Sequence, residues 1–357
     1  RLQIIADKVY SDQSFFPADA SDGTPIQSAM AVVDTGSGAV LAMVGGRDYT
    51  VRRGLNRATQ MRRQPGSALK PLAVYGPALE LGYTTASVLL DEKTSFGNYT
   101  PRNAGDRYYG LVTMRTAVRN SLNTTAVRLL EEIGVNASIQ YLNKMGIPTE
   151  KSDRNLSLAL GSMTYGVTPV ELAAAYAVFG NGGTYYEPHF YTEVTDSGGN
   201  VILRKNTETH QALDSDTAWI MNRLLYYNVN TADGIANAAA LDNTEVIGKT
   251  GTAANDLNLD SGRIFVGAVP DYVTAVWIGF DDESSMEDVQ YTPPTEVWKK
   301  MAEQFPLEHD KFTPDDKVTE QEYCISSGGL AVKGLCESET GYYTSDNMPD
   351  KCEKCGK

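Results

Sequence analysis

Gln64-Pro65-Gly66-Ser67-Ala68-Leu69-Lys70-Pro71 is the stretch on which the reading of this chain turns. A Pro-Gly turn running into a helix puts Ser67 at the helix start, where unpaired N–H groups and the positive end of the dipole face whatever the hydroxyl attacks. Lys70, three residues on, projects from the same face. Pro71 is compatible with this, because N–H groups in the first helical turn have no intrahelical acceptor to lose. Serine is a poor nucleophile until a neighbouring base takes its proton, and a lysine can be that base only where burial or a second cation lowers its pKa. An ordinary surface helix start has the same spacing, so other segments must decide the reading.

Two segments do. Ser121-Leu122-Asn123 follows Ser67 by 54 positions, and Lys249-Thr250-Gly251-Thr252 follows Ser121 by 128, in a strand-like context. Acyl transfer needs a nucleophile, a base, a proton path and fixed donors where the oxyanion develops, and the three segments supply all four. Lys249 can attract a substrate carboxylate and, if close to Lys70, disfavour protonation there.

Outward from these motifs, residues 29–44 predict a β-hairpin across Thr35-Gly36-Ser37-Gly38. Helical periodicity runs from Ser67 to about Met145, and Pro169 with Gly180-Asn181-Gly182-Gly183 brackets a helix over 168–179. Further helices are expected over 214–227 and 295–305, and strands over 185–195 and 246–280. The sum is a mixed α/β (α+β) fold, an antiparallel sheet packed with helices plus a helical insertion. Domain expectations are a linker remnant over 1–27, a main domain over 28–308 and a cysteine-containing extension over 309–357.

The chain has 357 residues, 41% hydrophobic and 21% charged, which fits a folded globular protein. A net charge of -14 disfavours nucleic acid as a partner. Arg52, Arg53, Arg57, Arg62 and Arg63 form a local basic run, read either as a solvated loop or as a site for an anionic substrate. His189, His210 and His309 lack metal-ligand spacing, and no metal or cofactor is expected. No apolar run is long enough to span a membrane, so any anchor is expected upstream of Arg1. Cys324, Cys336, Cys352 and Cys355 all fall in the tail; disulfides are the favoured reading, with a zinc site as the rival.

Taken in order, the three motifs resemble the serine-lysine, S-x-N and K-T-G set of penicillin-interacting enzymes. Gly45-Gly46-Arg47-Asp48-Tyr49, Asn56-Arg57-Ala58-Thr59-Gln60, Ala159-Leu160-Gly161-Ser162 and Gly166-Val167-Thr168-Pro169-Val170-Glu171-Leu172-Ala173 extend the likeness over about residues 27–305. The chain resembles the transpeptidase domain of class A, bifunctional, penicillin-binding proteins. That resemblance implies the serine β-lactamase/penicillin-binding fold with an all-helical subdomain. It also implies a D,D-transpeptidase that cross-links peptidoglycan stem peptides and is acylated by β-lactams.

By the same resemblance Ser67 is the nucleophile, Lys70 its base, Ser121 a proton relay and Asn123 a ligand of the donor peptide's amide. Lys249, Thr250, Gly251 and Thr252 bind the carboxylate of D-alanyl-D-alanine, and backbone N–H groups of Ser67 and Thr252 form the oxyanion hole. The implied partners are the stem-peptide donor and amine acceptor, with an upstream glycosyltransferase domain and a membrane anchor that place the site on the outer face of the cytoplasmic membrane. Asn155 to Leu160, where a β-lactamase would carry a deacylating glutamate, has no acidic residue, and Glu171 reads as an exposed helical charge. A D,D-carboxypeptidase and a non-catalytic sensor of the same fold are the alternatives.

Overall fold

The computed structural model describes residues 1–48, 51–255, 259–287, 289 and 293–355, so Tyr49 of the motif above lies outside the described residues. Helix α1 (Leu2–Ser11) precedes the hairpin β1 (Gln27–Asp34) and β2 (Val40–Val44). A short α2 (Arg57–Gln60) leads into one right-handed helical run: a 3-10 turn over Gly66–Leu69, a π segment over Pro71–Tyr75, then α3 (Gly76–Glu80). Next come β3 (Val88–Asp91), β4 (Gly110–Thr113), α4 (Met114–Arg119), α5 (Asn123–Ile133), α6 (Val135–Lys144) and α7 (Pro169–Ala177). Short strands β5 (Thr184–Tyr186), β6 (Glu193–Thr195), β7 (Val201–Arg204) and β8 (Thr209–Gln211) are followed by α8 (Ser215–Asn230). Then come β9 (Ile247–Ala254), β10 (Asp260–Ala268), β11 (Tyr272–Gly279), α9 (Pro294–Ala302), β12 (Thr319–Cys324) and β13 (Ser338–Tyr343).

The main sheet has the order β2-β1-β11-β10-β9, antiparallel throughout. Both faces are covered, and side-chain alternation sorts the residues between two cores. Ala29, Val33, Ala275 and Trp277 face one core with the helical subdomain, while Met30, Val32, Val276 and Ile278 face another with α1 and α9. The 1–27 segment therefore contains a helix whose Leu2, Ala6, Val9 and Tyr10 are buried in the second core.

Helix α7 forms as its signals predict. Thr168 accepts from the Glu171 N–H, Pro169 fills the first turn, and every residue except Glu171 is buried. A helix buried all round acts as the central pillar of a domain. Tyr176 on α7 donates to the Ala68 carbonyl at 2.5 Å and thereby fixes the turn that carries Ser67.

The π segment has a local cause. Pro77 has no N–H to give the Ala73 carbonyl, four residues back. Ser138 of α6 donates its hydroxyl there instead, at 2.5 Å.

Candidate active site

Ser67 lies in the 3-10 turn at the head of the run, half-buried, and its hydroxyl has no hydrogen-bond partner among the described residues. The turn rests against β9, which is the edge strand. Gly66 has φ +54°, and a Cβ there would run into the Thr252 backbone; a Cβ on Gly251 would run into the Pro65 carbonyl. Two glycines thus let two backbones touch and bring the first motif onto the third.

Ser121 is positioned by the end of α4. The Ser121 N–H donates to the Val118 carbonyl and the Leu122 N–H to that of Ala117, a Schellman ending. That ending puts Ser121 in the left-handed region, φ +52°, where glycine is usual. A serine held there carries roughly 1–2 kcal/mol of backbone strain, and its hydroxyl is turned toward two lysines.

Lys70 and Lys249 are both fully buried. Lys70 Nζ donates to the Ser121 carbonyl at 2.7 Å, the Leu122 carbonyl at 3.2 Å and Asn123 Oδ1 at 2.6 Å, with Ser121 Oγ at 3.4 Å. Lys249 Nζ donates to Ser121 Oγ at 2.9 Å and to the Thr250 carbonyl at 3.1 Å. Burial first, and the Lys249 charge second, push the Lys70 amine well below the usual lysine range. Burial pushes Lys249 down to about 7. The oxygens around Lys70 work the other way, since they suit an ammonium; desolvation of a fully buried charge outweighs them.

Asn123 opens α5, and both ends of its amide are engaged: Oδ1 with Lys70, and Nδ2 donating to the Arg102 carbonyl at 2.6 Å. One amide hydrogen is left for a ligand. Behind it stands a network that the sequence did not signal. Asn103 Oδ1 accepts from the N–H groups of Asn123 at 2.7 Å and Thr124 at 3.2 Å, capping α5 from another segment. Asn103 Nδ2 donates to Asp91 Oδ1 at 2.7 Å, and Thr124 donates its hydroxyl to the same carboxylate. Thr250 is half-buried and Thr252 exposed, on the opposite face of β9 from the Lys249 side chain.

Several expectations change. Glu171 is no exposed charge: it closes the capping box with Thr168 and pairs with Arg62. Asp153, just before the segment without acidic residues, is buried and accepts from the Thr164 N–H at 2.7 Å and the Glu150 N–H at 2.8 Å. Part of the basic run is structural, since Arg57 clasps Asp281 at 2.6 and 2.5 Å and Arg63 pairs with Glu283 at 3.5 Å.

All four cysteines are free, and their Sγ atoms lie within 4.8 Å of one another. His309 pairs with Asp271 at 2.6 Å, and His210 Nε2 lies 2.7 Å from the Lys144 carbonyl. Among the described residues no helix is long and apolar enough to cross a membrane.

Residues 28–294 match the family described as penicillin binding protein transpeptidase domain. Penicillin-binding protein 1A of Clostridium botulinum (strain Langeland) is 37% identical over 319 residues, 85% of this chain and 38% of that protein. Penicillin-binding protein 1F of Bacillus subtilis is 36% identical over 329 residues, 90% of this chain and 44% of that protein. Penicillin-binding protein 1A of Neisseria meningitidis (strain Z2491) is 39% identical over 339 residues, 90% and 39%. The chain therefore spans less than half the length of these curated relatives.

Two solved structures share the fold. Penicillin-binding protein 1A from Haemophilus influenzae has a TM-score of 0.79 at 24% identity, covering 94% of this chain and 57% of that one. PonA1 from Mycobacterium tuberculosis has a TM-score of 0.76 at 22% identity, covering 88% and 85%. The expected penicillin-binding transpeptidase fold, antiparallel sheet and helices together, is the fold of this chain.

Proposed function

The chain belongs to the penicillin-binding protein transpeptidase family, and from that premise we propose that it is a D,D-transpeptidase working through an acyl-enzyme on Ser67. The observation that supports this most is the convergence of Lys70 and Lys249 on Ser121 Oγ beside the turn carrying Ser67. An amine kept neutral by burial and a neighbouring cation accepts the Ser67 proton as Oγ attacks the carbonyl between the two D-alanines. The N–H groups of Ser67 and Thr252 receive the oxyanion, a contribution of about 10² to 10³ in rate per donor. The proton passes through Ser121 to the departing D-alanine, and the acceptor amine then displaces Ser67 to form the cross-link. Lys249, Thr250, Gly251 and Thr252 hold the terminal carboxylate, and Asn123 holds the donor's amide with its remaining hydrogen.

Amine rather than water as acceptor is favoured by the carboxylates near the site. Glu171 is committed to Arg62 and the α7 cap, and Asp153 to backbone N–H groups, so neither is free to activate water. This speaks against β-lactamase-like deacylation by water; a D,D-carboxypeptidase would use Ser67, Lys70 and Ser121 themselves, and the acceptor test below separates it from a transpeptidase. The intact set Ser67, Lys70, Ser121, Asn123 and Lys249 speaks against a non-catalytic sensor. A β-lactam enters as a mimic of D-alanyl-D-alanine; the relative PonA1 has been solved in complex with penicillin V. The site works on the outer face of the cytoplasmic membrane, in a longer protein carrying a membrane anchor and a glycosyltransferase domain.

The test is a stem-peptide thioester ending in D-alanine, supplied with a D-amino acid as acceptor. The expected product is predominantly the amide of donor and acceptor. Release of free acid at the same rate with and without acceptor contradicts transpeptidation.

A further inference from the structure

We propose that Cys324, Cys336, Cys352 and Cys355 form a structural zinc site that holds the C-terminal hairpin to the 352–355 segment of the same extension. The four Sγ atoms lie within 4.8 Å of one another, and the Cys324–Cys355 separation is 3.4 Å. A disulfide needs about 2.05 Å, whereas the edges of a ZnS4 tetrahedron with 2.3 Å bonds are about 3.8 Å. The thiols thus surround one point rather than forming two pairs.

The ligands come from two segments, as in other tetrathiolate sites. Cys324 ends β12, and Cys336 lies two positions before Ser338, which pairs with Cys324 across the hairpin. Cys352-Glu353-Lys354-Cys355 supplies the other two. Leu330 stitches the segments together: its N–H donates to the Asp350 carbonyl and its carbonyl accepts from the Cys352 N–H, both at 2.8 Å. Gly329 permits this closeness, because a Cβ there would lie 2.8 Å from the Asp350 carbonyl oxygen and 3.1 Å from the Cys352 nitrogen. The Val332 N–H points at Cys336 Sγ at 3.3 Å, a donor suited to a metal-bound thiolate.

The unit also needs a staple. Its small core is Tyr323 and Tyr343 with Ile325 and Met348 packed on and Ala86 of the main domain closing it, too little apolar area to order some fifty residues. Tetrahedral sulfur coordination suits zinc or iron; zinc is the choice here because it holds such a site without redox chemistry. Binding exchanges four S–H protons, released to solvent, for four Zn–S bonds, and nothing is oxidised.

The consequence reaches toward the active site. Tyr323 Oη lies 3.3 Å from Thr113 Oγ1, the Tyr342 N–H donates to Thr85 Oγ1 at 3.1 Å, and Arg115 of α4 donates to the Thr340 carbonyl at 2.9 Å. The hairpin thus braces β4 and α4, the elements that deliver Ser121.

The experiment is elemental analysis of the 357-residue chain, purified, loaded with zinc chloride and desalted, together with its denatured intact mass. The proposal expects about one zinc per chain, the mass of the fully reduced polypeptide, and thiols that react with a disulfide reagent only after chelation. Cys336→Ser and Cys355→Ser should each lose the zinc, while Ser67→Ala keeps it. Four hydrogens missing from the mass means two disulfides and overturns the site. Zinc-free reduced chain overturns it as well, and iron in place of zinc overturns the metal assignment. Should a cysteine variant fail to fold, the wild-type measurements alone decide.

Discussion

Lys249 Nζ donates to Ser121 Oγ at 2.9 Å, although 128 residues separate them in the chain. Lys70 Nζ also lies 3.4 Å from the same hydroxyl, so one oxygen couples two buried amines. In Lys249→Met the cation that helps keep Lys70 neutral is gone. The acid limb of β-lactam acylation, where Lys70 becomes protonated, is then expected to move to higher pH. Second-order acylation rates with a fluorescent penicillin across pH 5 to 9 check this; an unmoved limb contradicts it.

The same lysine makes stability depend on pH. Burial brings Lys249 from 10.5 down to about 7 in the folded state. Between those values the unfolded chain holds a proton that the folded chain has released, so stability rises with pH, by up to about 1.4 kcal/mol per pH unit. Below about 7 both states are protonated and the gain is absent. Lys249→Met is expected to flatten this rise, leaving only the part due to Lys70, which is shifted in the same direction. Urea unfolding of both proteins at pH 7, 8 and 9 tests it. Equal slopes contradict it.

Ser121 offers a test of strain against chemistry. Ser121→Gly and Ser121→Ala lose the same hydroxyl, but only alanine keeps a Cβ at φ +52°. The glycine variant is expected to be more stable than the alanine variant by about 1 kcal/mol. Both should be slow to acylate. Denaturant midpoints and acylation rates measured side by side separate the two effects, and equal stability would mean the backbone relaxes at no cost.

Asn103 tests the layer behind the site. Asn103→Leu removes the acceptor for the first two N–H groups of α5 and the donor to Asp91. The expected costs are about 1–2 kcal/mol of stability and, because Asn123 and Lys70 are no longer held, about 10- to 100-fold in acylation. Rates taken well below the variant's melting temperature distinguish misplacement from unfolding. A folded variant acylating at the wild-type rate contradicts the positioning role.

The parts legible in the sequence were those with local signals. The β1–β2 hairpin announced itself by Thr35-Gly36-Ser37-Gly38, and α7 by Thr168, Pro169 and the glycines after Phe179. The three motifs were legible because each carries its chemistry within four residues. Asp91 and Asn103 were not, since an aspartate and an asparagine in loops and short strands acquire meaning only when α5 is laid against them. The Ala73 carbonyl that Pro77 leaves without a donor is met by Ser138, 65 residues away in the chain. Glu171 reads as an exposed helical charge and Arg62 as part of a basic run, either solvated or substrate-binding, until the fold pairs them across 109 residues. Spacing along the chain does not reveal that the four cysteines, from two segments, meet at one point.

The central claim is that Ser67, activated within the Lys70–Ser121–Lys249 cluster, is the group that becomes acylated. It is tested most directly by intact-mass analysis after exposure to benzylpenicillin, with proteolytic mapping of the modified residue and a time course after removing the drug. The predicted result is one long-lived adduct per chain on the peptide containing Ser67, absent from Ser67→Ala. An adduct on any other residue, or one that persists in Ser67→Ala, contradicts the account.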